Sequence, residues 1–180
     1  MDEAKKFSLA IFSSDQGPGD AERASIMSQA GAFFARQNAR IVCLSSNGNL
    51  CVPLITSARS VGGEVTIIAD SDFEAPSALS GIPMERFPTR AEKLQRVDEL
   101  ADAFVGLPGS LASVTSLFDT WTTTDGSKPV ALLNKNRAFE VMRGFVGDIV
   151  SSKVTDIESH LQFADNMEDL WSRLSRMLNR

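Results

Sequence analysis

Short, almost continuous apolar runs alternate along this chain with longer stretches whose apolar residues recur at helical spacing. The runs Phe7–Phe12 (FSLAIF), Arg40–Leu44 (RIVCL), Glu64–Ala69 (EVTIIA), Ala103–Leu107 (AFVGL), Pro129–Asn134 (PVALLN) and Leu161–Ala164 (LQFA) predict strands. Asp20 is placed to cap a first helix, with Ala24, Met27, Ala30, Gly31 and Phe34 along one side. A second helix spans about Leu50 to Val61, with Pro53 in its first turn and Gly62-Gly63 as its stop. Thr89 and Glu92 have capping-box spacing and open a helix through about Ala101. Leu111, Val114, Leu117, Phe118 and Trp121 define the next. Arg137 to Ser151 turns Phe139, Met142, Phe145, Val146 and Ile149 inward, and Asp165 with Glu168 opens a last helix over Met167–Leu178. Asp70 to Pro88, holding Pro76, Gly81, Pro83 and Pro88, reads as irregular with room for one short helix.

Strand runs too continuous for a one-sided sheet, alternating with helices, imply a parallel sheet covered on both faces. With right-handed crossovers this is a Rossmann-like, doubly wound α/β fold of three layers, a single domain over residues 1–180. Such sheets bind ligands beyond the carboxyl ends of their strands. Three loops are expected to converge there: Ser13–Gly19, Ser45–Asn49 and Pro108–Ser113.

The stretch AFVGLPGSLASVTSLFDTW, Ala103 to Trp121, organises that end of the molecule. A buried strand stops at Pro108-Gly109-Ser110, and a helix opens at once. This geometry aims free backbone N–H groups and a positive dipole end at an anion. Ser110, Ser113 and Thr115 add hydroxyls to the first turns, so the stretch reads as a phosphate cradle. The other reading makes the serines helix caps only.

Composition narrows the partners. The chain has 180 residues, 43% of them hydrophobic and 23% charged, enough for one core. A net charge of −5 argues against nucleic acid or an anionic membrane, both of which want a basic face. The opening MDEAKKFSLAIF lacks the core and cleavage site of a signal peptide, and no stretch approaches the roughly 20 apolar residues of a membrane span. A cytoplasmic protein is expected. Cys43 and Cys51 support no disulfide framework and read as small buried hydrophobes. The single histidine, His160, leaves no His-rich metal site and reads as a surface or strand-edge residue; no metal is expected, and separately no cofactor.

FVGLPGSLASVTSLFDTW, the preceding ELADAF, VGGEVTII after the second helix, and KPVALLN resemble the LOG family of nucleoside-monophosphate phosphoribohydrolases. The resemblance runs from about Phe7 to Leu178. Members cut the N-glycosidic bond of cytokinin riboside 5′-monophosphates or AMP, and related Rossmann proteins include molybdenum-cofactor carriers that bind without that hydrolysis. In the family motif PGGxGTxxE, Pro108 and Gly109 match. Ser110 and Ala112 replace glycines, Ser113 replaces the threonine, and the glutamate position is Ser116. The glycine motif GGGxxGLMG aligns with Leu44–Val52, where only Leu50 agrees. The catalytic arginine position is Lys93, with Arg90 and Arg96 a turn to either side.

These departures differ in weight. Serine for glycine adds a donor, and lysine for arginine keeps a charge while losing the bidentate fork. Serine cannot stabilise the positive charge that builds on the sugar; losing one such preorganised group costs about 10²–10³ in rate. The resemblance therefore implies a binder of a nucleoside monophosphate or another phosphorylated small molecule, with phosphoribohydrolase activity lost or reduced. Its implied ligand residues are Ser13, Ser14, Ser45, Ser46, Asn47, Arg90, Lys93, Pro108, Gly109, Ser110, Leu111, Ala112 and Ser113. Two alternatives stand beside it. One is an active phosphoribohydrolase using Asp119 or Glu92; the other is a non-catalytic cofactor carrier or dimeric interaction protein of the same fold. The resemblance also implies a homodimer through the helices around Lys93 and Phe118.

Overall fold

Every apolar run named above forms a strand in the computed structural model, which describes residues 6–14, 21–123, 126–151 and 160–180. The strands are β1 (Ser8–Phe12), β2 (Arg40–Leu44), β3 (Val65–Asp70), β4 (Met84–Phe87), β5 (Ala103–Gly106), β6 (Val130–Leu133) and β7 (Leu161–Ala164). They pair in parallel throughout, in the order β4-β3-β2-β1-β5-β6-β7. Successive strands step outward from β1 to β4; the chain then returns to add β5, β6 and β7 on the other side. The topological switch point lies between β1 and β5.

The described helices are α1 (Ala21–Arg36), α2 (Val52–Ser60), α3 (Arg90–Leu100), α4 (Leu111–Thr123), α5 (Glu140–Ser151) and α6 (Met167–Leu178). They form the outer layers of a three-layer α/β arrangement. Strand alternation divides the core between them. Leu9 and Ile11 of β1 pack with Met27, Phe34, Leu54 and Leu170 from α1, α2 and α6. Ala10 and Phe12 face the other way, onto Val97, Leu117, Trp121 and Phe139 beside α3, α4 and α5. The helices α1 and α2 cross closely at Gly31, where a Cβ would come within 2.1 Å of the Leu54 carbonyl oxygen. Burial on both faces, rather than helix propensity, holds this arrangement.

Four sequence expectations are corrected. The segment expected to be irregular holds a strand as well as a short 3₁₀ turn at Ser77–Leu79: β4 is an edge strand whose Glu85 and Arg86 break the apolar run, as edges commonly do. The α5 helix begins at Glu140 rather than Arg137, because Asn136 and Arg137 have φ of 54° and 59°. The Asn134 side-chain oxygen accepts from the Phe139 N–H at 2.7 Å, fixing that start. Phe145, expected on the inner face, is 65% exposed. Asn166, not Asp165, caps α6, its Oδ1 accepting from the Asp169 N–H at 2.8 Å. The Thr89 cap forms as expected, accepting from the Glu92 N–H at 3.3 Å. Asp20, Asp125 and the side chain of Ile149 lie outside the described residues.

Among the described residues no helix is long and apolar enough to cross a membrane. No group of three or more His, Cys, Asp or Glu among them is placed to hold a metal ion. His160 is half-buried immediately before β7.

Candidate functional site

The carboxyl ends of β1, β2 and β5 meet beneath a cavity of about 50 Å³, several times what one water molecule needs, that opens to solvent. Ile11, Phe12, Ser13 and Ser14 line it from β1; Leu44, Ser46, Asn47 and Asn49 from β2; Ser110, Ala112, Ser113 and Ser116 from the start of α4. The described parts of the three loops expected from the sequence therefore converge; residues 15–19 of the first lie outside the described residues. None of these twelve lining residues carries a charge.

The β5–α4 turn is built for close approach. A Cβ on Gly109 would lie 2.8 Å from Ser113 Oγ and 3.1 Å from the Ser14 nitrogen, so this position admits only glycine without rearrangement. The Ser14 hydroxyl donates to Ser110 Oγ at 2.9 Å, tying the β1 loop to α4. Ser110 caps α4, its Oγ accepting from the Ser113 N–H at 3.3 Å, and the Ser113 hydroxyl donates back to the Ser110 carbonyl at 2.8 Å. Thr115 spends its hydroxyl on the Leu111 carbonyl, at 2.9 Å. Capping thus accounts for part of the serine chemistry. The N–H groups of Leu111 and Ala112 remain, without intrahelical acceptors, at the positive end of a 13-residue helix. The Ser13 Oγ lines the same cavity, buried and with no hydrogen-bond partner among the described residues. A ligand oxygen would satisfy it.

The β2 wall is a tight turn. Ser46 and Asn49 exchange both backbone hydrogen bonds at 2.9 Å, and Asn47 and Gly48 between them have φ of 51° and 74°. Two successive left-handed residues with an Asn-Gly sequence form a type I′ turn. This closed turn stands where the resemblance would place a glycine-rich phosphate loop.

The structure separates the remaining expected residues from the cavity. Lys93 is 3% exposed, its ammonium 2.5 Å from Asp70 Oδ1 and 2.9 Å from the Ser45 carbonyl oxygen it donates to. Arg90 pairs with Asp119 at 2.8 Å, joining α3 to α4 at the surface. None of Arg90, Lys93 and Asp119 lines the cavity: the expected cations and the expected substitute acid are engaged elsewhere. Glu92 is held in its helix cap, accepting from the Thr89 hydroxyl at 2.6 Å. Ser45 is fully buried with its hydroxyl unsatisfied among the described residues, Pro108 and Gly109 shape the turn from behind, and Leu111 points outward, 82% exposed. Ser116, at the family's glutamate position, does line the cavity and is 4% exposed. Sequence reasoning missed Ile11, Phe12 and Leu44, although they lie at the carboxyl ends of strands expected to carry the site, and it placed Asn49 only as part of the Ser45–Asn49 loop.

The architecture is similar to that of solved proteins. The molybdenum cofactor carrier protein of Chlamydomonas reinhardtii superposes with a TM-score of 0.70 at 10% identity, covering 98% of this chain and 100% of its own. The molybdenum cofactor binding protein of Rippkaea orientalis gives 0.68 at 12% identity, covering 97% and 98%. TM1055 gives 0.69 at 16% identity, covering 96% and 99%. The shared feature is the three-layer, Rossmann-like α/β fold, the fold that the sequence resemblance implies. No protein-family model matches the sequence, and no curated protein matches it.

Proposed function

We propose that this chain holds a small phosphorylated molecule, a nucleoside monophosphate or a phosphate-bearing cofactor, without cleaving it. The phosphate would seat against the Ala112 N–H at the start of α4 and the Ser13 hydroxyl, with the rest of the ligand extending through the open mouth. One observation carries this reading: Ser116 faces the cavity where glycosidic cleavage would want a carboxylate, and no lining residue among those described is acidic. The superposition on cofactor carriers favours holding over chemistry. The same reading includes a cytoplasmic location and a homodimer, the latter supported by Leu111, Val141 and Phe145, which are 82%, 89% and 65% exposed on α4 and α5.

Calorimetric titration with AMP and with a phosphorylated pterin tests binding, and chromatography of the AMP mixture tests cleavage. Binding of at least one phosphate ester with no adenine released is the expected result. Adenine release at ordinary enzymatic turnover, about 1 s⁻¹ or faster, would overturn it; so would the absence of binding at millimolar concentration. Light scattering should report a dimer, and a monomer would remove that part.

A further inference from the structure

Two thiols that ligand binding leaves unused flank the turn on the β2 side of the cavity. Cys43 lies within β2, and Cys51 immediately precedes α2. The Cys43 and Cys51 thiols share a hydrogen bond across 3.4 Å, and the two residues are 0% and 2% exposed. A disulfide requires about 2.05 Å between sulfurs, so bond formation needs a displacement of under about 1.5 Å. The loop it would close, residues 43–51, carries Leu44, Ser46, Asn47 and Asn49, the four cavity-lining residues contributed by the β2 side.

We propose that Cys43 and Cys51 are a reversible redox pair that closes to an intramolecular disulfide by exchange with a small disulfide of the glutathione type, fixing the turn that walls the cavity. Cys51, which follows the turn whose Asn47 and Gly48 are exposed, attacks first as its thiolate. The small disulfide's S–S bond breaks, one thiolate leaves and takes up the proton Cys51 lost, and a mixed disulfide forms. Cys43 then gives up its proton and attacks the Cys51 sulfur, expelling the second small thiol. Two protein thiols are oxidised by two electrons, and one small disulfide is reduced to two thiols.

Burial sets the pace rather than the direction. Both sulfurs are shielded, so exchange proceeds through local opening of the turn. The hydrogen bond with Cys51 and then burial push the Cys43 thiol well above its ordinary range, which keeps it inert until the mixed disulfide brings an electrophile against it. In the unfolded chain the same cysteines must meet by loop closure; the fold holds them in contact.

The test equilibrates the wild-type chain with mixtures of reduced and oxidised glutathione, natively and in unfolding urea, then quenches with acid and counts thiols by mass spectrometry. The native chain should close at an oxidant ratio at least tenfold lower than the unfolded chain, a difference of about 30 mV. Amide hydrogen exchange should slow in residues 44–50 of the oxidised form. A native advantage below tenfold, an intermolecular or mixed disulfide as the only oxidised product, or unchanged exchange in that segment would overturn the proposal.

Discussion

The Lys93 ammonium bridges the Asp70 carboxylate, at 2.5 Å, and the Ser45 carbonyl, at 2.9 Å, so α3 pins together the carboxyl ends of β2 and β3. A cation that the family resemblance aligns with a catalytic position is thereby consumed in positioning the floor beside the cavity.

Lys93→Met keeps the bulk and removes the charge. It leaves the Ser45 carbonyl without this donor, while Asp70, 33% exposed, recovers part of its hydration. The expected loss is about 1–3 kcal/mol of stability in urea unfolding. Affinity for a phosphate ester, measured on the folded fraction, should stay within about threefold; a loss of 100-fold would return Lys93 to the ligand.

Gly109→Ala tests the turn. The added Cβ meets Ser113 Oγ and the Ser14 nitrogen at 2.8 and 3.1 Å, forcing the β1 and β5 loops apart. Thermal unfolding should report a cost of about 1–3 kcal/mol, the range for overpacking, and phosphate-ester binding should fall at least tenfold. Unchanged binding would place the ligand elsewhere.

Asp119→Asn separates a surface ion pair from a catalyst. Its partner Arg90 and Asp119 itself are both about half exposed, so the stability change should be within about 1 kcal/mol. Neither the wild type nor the variant should release adenine from AMP.

Alkaline pH exposes the thiol pair. The folded-state pKa of Cys43 is raised, so the unfolded chain loses this proton first as pH rises. Stability attributable to Cys43 is complete below about pH 8.5, the ordinary cysteine value, and declines as pH climbs above it. Cys43→Ala should flatten that decline in urea titrations run under reducing conditions between about pH 8 and 10.

Residues buried on both faces of the sheet were legible, because an apolar run such as Ala103–Leu107 has few other uses. The β4 strand was not, since an edge needs only one neighbour and tolerates Glu85 and Arg86. The convergence of the loops followed from the alternation of parallel strands and helices alone. Where Lys93 and Arg90 would aim did not follow: helical spacing fixes a face, whereas their partners Asp70 and Asp119 lie on other elements. Ser45–Asn49 was legible as a loop, but only the paired hydrogen bonds between Ser46 and Asn49 reveal that it is a turn closed upon itself.

That closure has a consequence for any anion that arrives. With the main chain of Ser46 and Asn49 already committed to one another, this wall keeps neither of those amides for a ligand, and in the proposed reading a phosphate would be gripped from the α4 and β1 sides without it. A grip lacking that wall would favour rapid exchange over long residence, a property suited to molecules that are passed on rather than kept.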